Sequence, residues 1–65
     1  MLVNNYVKHV RQKLNISRYK LAKDTGLSYV GLINIEKGLD VKLSTLYVIA
    51  KALKVHVKEL VSQEN

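Results

Sequence analysis

The chain has 65 residues, of which 48% are hydrophobic, and these values predict one small folded domain spanning residues 1–65 rather than a disordered segment. It has no cysteine, which excludes disulfides, thiolate metal sites and cysteine nucleophiles, and this fits a reducing cytoplasm. Eleven Lys and Arg residues against five Asp and Glu residues give a net charge of +6. This excess predicts a polyanionic partner, with nucleic acid ahead of an anionic membrane surface.

Other functional classes find little support in the sequence. No apolar run approaches the roughly 18–20 residues of a membrane span, so we expect no membrane association. His9 and His56 stand alone, without a second ligand at a metal-binding spacing, so we expect no metal and no cofactor. No Ser–His–Asp set and no carboxylate pair is visible, and we predict that the protein is not an enzyme.

The apolar spacing is helical along most of the chain and predicts an all-α fold. A first helix is predicted over about residues 5–14, with Asn15 as its C-terminal cap. Ser17 has the chemistry of an N-cap for a second helix over about residues 18–25. Gly26 ends this helix, because glycine tolerates the left-handed backbone found at helix ends.

The second half of the chain predicts three further helices. Ser28 precedes a third helix over about residues 29–37, which Gly38 ends. A fourth helix is predicted from a clean i, i+3, i+4, i+7 stripe, and a short fifth helix from residues 57–61. The stripe consists of Leu46, Ile49, Ala50 and Leu53. Tyr6 and Tyr47 are predicted to be core residues, and Leu2-Val3 and Val55–Val57 are also compatible with short β segments.

The second and third predicted helices are separated only by Gly26-Leu27-Ser28, which is a helix-turn-helix arrangement. A compact turn of this kind holds two helices at a steep angle. The second helix can then enter a major groove while the first crosses the DNA backbone. In a basic all-α chain this arrangement favours DNA binding.

Four motifs also carry a family resemblance: SRYKLAKDTGLS (17–28), IEKG (35–38), LSTLYVIAKAL (43–53) and VKEL (57–60). In this order they resemble the helix-turn-helix, the end of the recognition helix, the fourth helix and the fifth helix of the Cro/C1-type family, the phage-repressor-like DNA-binding domains. The resemblance covers residues from about 5 to 61. It implies a five-helix lambda-repressor-like fold, binding to a DNA operator as a homodimer, and a role as a transcriptional regulator.

By this resemblance the base-contacting residues are Tyr29, Val30 and Asn34, together with Gly31. Asparagine can hydrogen-bond to adenine N6 and N7, and valine can pack on a thymine methyl group. Gly31 leaves a bare helix face that lets DNA come close, or it is merely tolerated in the helix. The alternative role of Tyr29 and Val30 is packing against a neighbouring helix. Ile33, near the same face, is interpreted as a half-exposed apolar residue rather than as a thymine contact.

Five residues are predicted to contact DNA phosphates: Ser17, Arg18, Ser28, Lys37 and Lys42. The two serines begin helices, whose free amides suit a phosphate. The two lysines flank the loop that the family places along the DNA backbone. Arg18 stands where the family usually has glutamine, and two roles stay open for it: a phosphate contact, or a bridge to a base-reading side chain.

The resemblance also implies a scaffold and an interface. Arg11 and Glu36 match a pair that forms a structural ion pair between the first and third helices. The family often dimerises through helix 5 and the segment before it. The dimer interface is therefore expected at Val55, Val57, Leu60 and Val61.

We therefore expect a small cytoplasmic transcriptional repressor. It would bind a pseudo-palindromic double-stranded DNA operator as a homodimer, with helix 3 (about 28–37) in the major groove. Two alternatives stay open: the DNA-binding antitoxin of a toxin–antitoxin pair, and a protein-interaction module that has lost DNA binding. A protein antagonist is also left open as a partner.

Overall fold

The structure, a computed structural model, describes residues 5–38 and 41–61, and these residues form five α-helices without a strand. The predicted all-α fold is confirmed. The alternative of a β segment at Val55–Val57 is wrong, because these residues form the turn between the last two helices. The other β candidate, Leu2-Val3, lies outside the described residues. In chain order the helices are α1 (Val7–Lys13), α2 (Arg18–Thr25), α3 (Tyr29–Glu36), α4 (Leu43–Leu53) and α5 (Lys58–Val61).

The first helix begins two residues later than predicted, because the Asn5 side chain works outside it. Asn5 Oδ1 accepts a hydrogen bond from the Val7 N–H at 3.1 Å, and Asn5 Nδ2 donates to the Ile35 carbonyl at 2.8 Å. The start of α1 is thereby tied to the end of α3. At the other end of α1, Asn15 adopts a left-handed φ of 58°, a conformation that asparagine tolerates better than most residues.

The limits of α2 and α3 follow from their caps. Ser17 Oγ accepts a hydrogen bond from the Lys20 N–H at 3.0 Å, and Ser28 Oγ accepts one from the Gly31 N–H at 2.9 Å. Gly26 ends α2 with a φ of 78°, where an L residue would be strained. Both caps and the glycine stop occur where the sequence predicts them.

The turn between α2 and α3 is held by a side chain that the sequence reasoning missed. Thr25 Oγ1 donates to the Leu21 carbonyl at 2.8 Å and accepts from the Leu27 N–H at 3.2 Å. A single hydroxyl thereby connects the last turn of α2 to the residue before the α3 cap.

Every helix contributes to one hydrophobic core. The predicted stripe of α4 is fully buried, as expected for an amphipathic helix. Tyr6 is half-buried and packs against the core, whereas Tyr47 is 56% exposed and the core prediction for Tyr47 is wrong. The buried apolar residues are Val7, Val10, Leu21, Leu32, Leu46, Ile49, Ala50, Leu53 and Leu60.

The packing leaves one face of α3 open. Helix α2 contacts α3 and α4, while α1 contacts α3 and α5, so α3 is held from two sides by α1 and α2. Within the described ranges, none of the helices combines the length and apolar character that a bilayer crossing requires.

Candidate nucleic-acid interface

The outer face of α3 is formed by two exposed side chains one turn apart. Val30 is 64% exposed and Asn34 is exposed, whereas Leu32, on the opposite side, is fully buried. Residues four apart on a helix are surface neighbours, so Val30 and Asn34 form one continuous face. Ile33 is half-buried beside them. The alternative that Val30 packs against a neighbouring helix does not fit its exposure.

The inner end of α3 is fixed by a buried ion pair. Arg11 Nε donates to Glu36 Oε2 at 2.7 Å, and Arg11 Nη2 donates to Glu36 Oε1 at 3.3 Å. Arg11 Nη1 donates to the Ile16 carbonyl at 2.9 Å. The Arg11 and Glu36 side chains are only 8% and 3% exposed. The pair therefore ties α3 to α1 and to the loop before α2, as the family resemblance implies.

A second arginine connects this pair to the start of α3. Arg18 Nε donates to Glu36 Oε1 at 3.1 Å, and Arg18 Nη1 donates to the Tyr29 hydroxyl at 3.4 Å. The Arg18 guanidinium carbon also lies 5.5 Å from the centroid of the Tyr29 ring, within the range of a cation–π contact. The hydrogen bonds to the Tyr29 hydroxyl and to the Glu36 carboxylate raise the pKa of Arg18. Of the two roles left open for Arg18, this geometry favours the bridge to a base-reading side chain.

Gly31 has a structural reason that the sequence analysis did not consider. A Cβ atom at this position would lie 2.8 Å from Ser28 Oγ, the atom that caps α3. Glycine therefore leaves room for the cap, in addition to keeping the helix surface bare for an approaching DNA strand.

A groove between α3 and the start of α4 places a cation beside the base-contacting helix. Gly31 and Asn34 line it on the α3 side, and Lys42 and Thr45 line it on the α4 side. The sequence reasoning missed Thr45, whose place in the groove depends on how α4 packs. Lys37 is exposed just after α3, and Ser17 and Ser28 are exposed at the starts of α2 and α3.

A second groove lies between α2 and the start of α3. Tyr19 and Tyr29 both line it, together with Lys23. Tyr19 is an exposed aromatic residue that the sequence reasoning did not single out. No local sequence signal marks it, because its proximity to Tyr29 arises only from the packing of α2 on α3.

The predicted dimer residues do not form one exposed patch. Leu60 is fully buried, so its assignment to an interface is corrected: it packs in the core, and its carbonyl accepts from the Tyr6 N–H at 2.7 Å. Val55, Val57 and Val61 are half-buried. The exposed apolar surface nearby comes from α4, where Tyr47 shares a groove with Val55 and Val57. In residues 5–38 and 41–61, no cluster of three or more His, Asp or Glu side chains could hold a metal ion.

An exposed helix held behind a capped three-residue turn is the arrangement of a DNA-binding helix-turn-helix domain. In agreement, a family model described as helix-turn-helix matches residues 7–60. The chain therefore belongs to this Cro/C1-type helix-turn-helix family, which is a family of DNA-binding regulators rather than of enzymes. It matches no curated protein.

Lys42 provides a test of the phosphate contacts. We expect Lys42→Gln to weaken binding to all DNA sequences alike and to reduce the slope of log K against log salt by about one, because one counterion fewer is released. Arg18→Gln is expected to reduce the slope less, since the Arg18 guanidinium is bound to Glu36 and Tyr29. The measurement is a salt titration of binding for each variant.

The matched control is Lys54→Gln, which removes the same charge beyond the other end of α4, about 18 Å away at 1.5 Å per residue. It is expected to keep the wild-type slope. A wild-type slope for Lys42→Gln would remove Lys42 from the phosphate contacts, and equal losses for Lys42 and Arg18 would restore Arg18 to them.

Proposed function

We propose that the protein is a transcriptional repressor that binds a pseudo-palindromic operator as a homodimer, with α3 in the major groove. The observation that carries this proposal is the outer face of α3. Val30 and Asn34 are exposed there, while Leu32 and Glu36 anchor the helix from behind. A rigidly held helix with a free outer face suits base reading, because base contacts need a defined register.

The charges of the chain support binding to the DNA backbone. The net charge is +6, and the only acidic side chain of α3, Glu36, is buried between two arginines. Phosphates that approach α3 therefore meet no exposed carboxylate on that helix. Lys37 and Lys42, with the helix starts at Ser17 and Ser28, supply the salt-dependent part of the affinity.

Repression is the simplest consequence of operator binding, because occupancy of a promoter by itself excludes other proteins. A cytoplasmic location in a bacterial cell follows within this proposal from the DNA target. The antitoxin and the protein-interaction module stay predictions from the sequence alone, and no described contact favours either one.

The homodimer is supported by apolar surface outside the DNA-binding face. Tyr47 and Val48 are exposed on α4, and Val55, Val57 and Val61 lie half-buried near the chain's last described helix. A second copy that covers this surface would present two α3 helices to one side of the duplex. Dimers of this type bind half-sites about 34 Å apart, one turn of DNA.

The test is a selection of binding sites from random-sequence duplex DNA with the purified protein. The proposal expects a two-fold symmetric motif whose half-sites are centred about 10 base pairs apart. Failure to enrich any motif would overturn specific DNA binding. Analytical ultracentrifugation at micromolar concentration without DNA tests the dimer, and a monomer under these conditions would count against it.

A further inference from the structure

The surface that α3 offers to DNA carries almost no charge. Of its eight residues only Glu36 is charged, and that side chain is 3% exposed and bonded to two arginines. The exposed side chains are those of Tyr29, Val30 and Asn34, with Ile33 half-buried beside them. The base-reading surface therefore consists of apolar groups, one phenol and one amide.

This composition restricts which bases the helix can read. Guanine is most often read by Arg or Lys, and cytosine by Asp or Glu. The exposed face of α3 has none of these side chains. Arg18, the cation that touches α3 at Tyr29, already uses Nε on Glu36 and Nη1 on the Tyr29 hydroxyl.

The groups that α3 does expose match an A·T base pair. In the major groove only thymine presents a methyl group, which apolar side chains contact, and only adenine presents the N6 and N7 pair that an asparagine amide matches. Val30 is the most exposed side chain of the three and stands one turn before Asn34. One helical turn rises about 5.4 Å, and base pairs are about 3.4 Å apart along each strand. The two side chains therefore reach base pairs one or two steps apart.

We propose that α3 reads A·T base pairs and that a thymine methyl group packed against Val30 carries a substantial part of the sequence preference. This inference rests on the proposed function, since it requires α3 in the major groove. It adds the chemical identity of the half-site, which the helix-turn-helix fold by itself does not specify.

The test replaces single thymines of the selected duplex with deoxyuridine, which pairs like thymine and lacks only the methyl group. At the thymine that faces Val30 we expect about fourfold weaker binding per half-site, the ratio that corresponds to losing the burial of one methyl-sized group. Uracil at a flanking thymine outside the half-site is the control and is expected to leave the affinity unchanged.

A second variant assigns the contact to its side chain. Val30→Ala is expected to bind the thymine duplex several-fold more weakly and to show no further loss with uracil, because the contact is then already absent. Leu14→Ala, which truncates an exposed apolar side chain after α1, is expected to keep the full sensitivity to uracil.

The outcomes separate this inference from the proposed function. Absence of binding to every duplex would overturn both. A selected half-site made of G·C pairs, or wild-type affinity for every uracil duplex, would overturn the inference and leave DNA binding intact. An undiminished uracil effect in Val30→Ala would overturn the assignment to Val30.

Discussion

Glu36→Ala is expected to leave most of the protein unfolded at 25 °C. The Glu36 carboxylate is 3% exposed and accepts hydrogen bonds from Arg11 at 2.7 Å and from Arg18 at 3.1 Å. Removing it leaves the buried Arg11 guanidinium without its charged partner, which costs roughly 3–5 kcal/mol. A domain of this size has a total stability of only about 3–5 kcal/mol. Urea denaturation followed by circular dichroism measures the loss.

The matched control is the exposed ion pair of α2. Lys20 Nζ and Asp24 Oδ2 are 3.0 Å apart, with side chains 61% and 38% exposed. Asp24→Ala is expected to cost only about 0–1 kcal/mol, because water screens this pair. Glu36→Gln separates charge from volume: it keeps the shape but turns one acceptor into a donor that faces an arginine. A wild-type urea midpoint for Glu36→Ala would contradict the structural role of the pair.

Asn34→Ala is expected to lose about 1–3 kcal/mol of binding free energy on the best operator and almost nothing on random DNA. Asn34 is exposed on α3 and lines the groove shared with Lys42. Its amide can accept from adenine N6 and donate to N7, and no other base offers this pair in the major groove. The loss should therefore appear only where adenine faces it. Binding titrations against operator and scrambled duplexes, at one salt concentration, measure the difference.

Two comparisons keep this result interpretable. The folding of Asn34→Ala should match the wild type, because an exposed residue contributes little to the core and alanine favours a helix. Gln12→Ala, which removes an exposed amide from α1, is expected to bind both duplexes as the wild type does. Equal losses of Asn34→Ala on both duplexes would mean that Asn34 touches the DNA backbone rather than a base.

The limits of the helix-turn-helix were predictable from the sequence by itself. Ser17 and Ser28 cap helices through amides three residues away, and Gly26 ends α2 through its own backbone conformation. These interactions are local, so residue types at short spacing determine them. The α4 stripe was predictable for the same reason, because its period is that of the helix itself.

The width of a buried face was not predictable in this way. Tyr47 follows the buried Leu46 by one position, about 100° around the helix at 3.6 residues per turn. Whether such a residue is covered depends on which helices pack beside α4. Leu60 illustrates the reverse case: the sequence places it in an interface, whereas its packing places it in the core.

The connections that position the candidate site were decided only by the tertiary structure. The sequence left two roles open for Arg18, and its partners Tyr29 and Glu36 lie 11 and 18 positions away. Asn5 reaches the end of α3 across 30 positions. Such hydrogen bonds depend on how separate helices pack against one another, and no spacing along the chain encodes that arrangement directly. The sequence by itself determined the helices, their caps and the family; the packing of α1 and α2 on α3 determined which side chains hold the reading helix and which remain free for DNA.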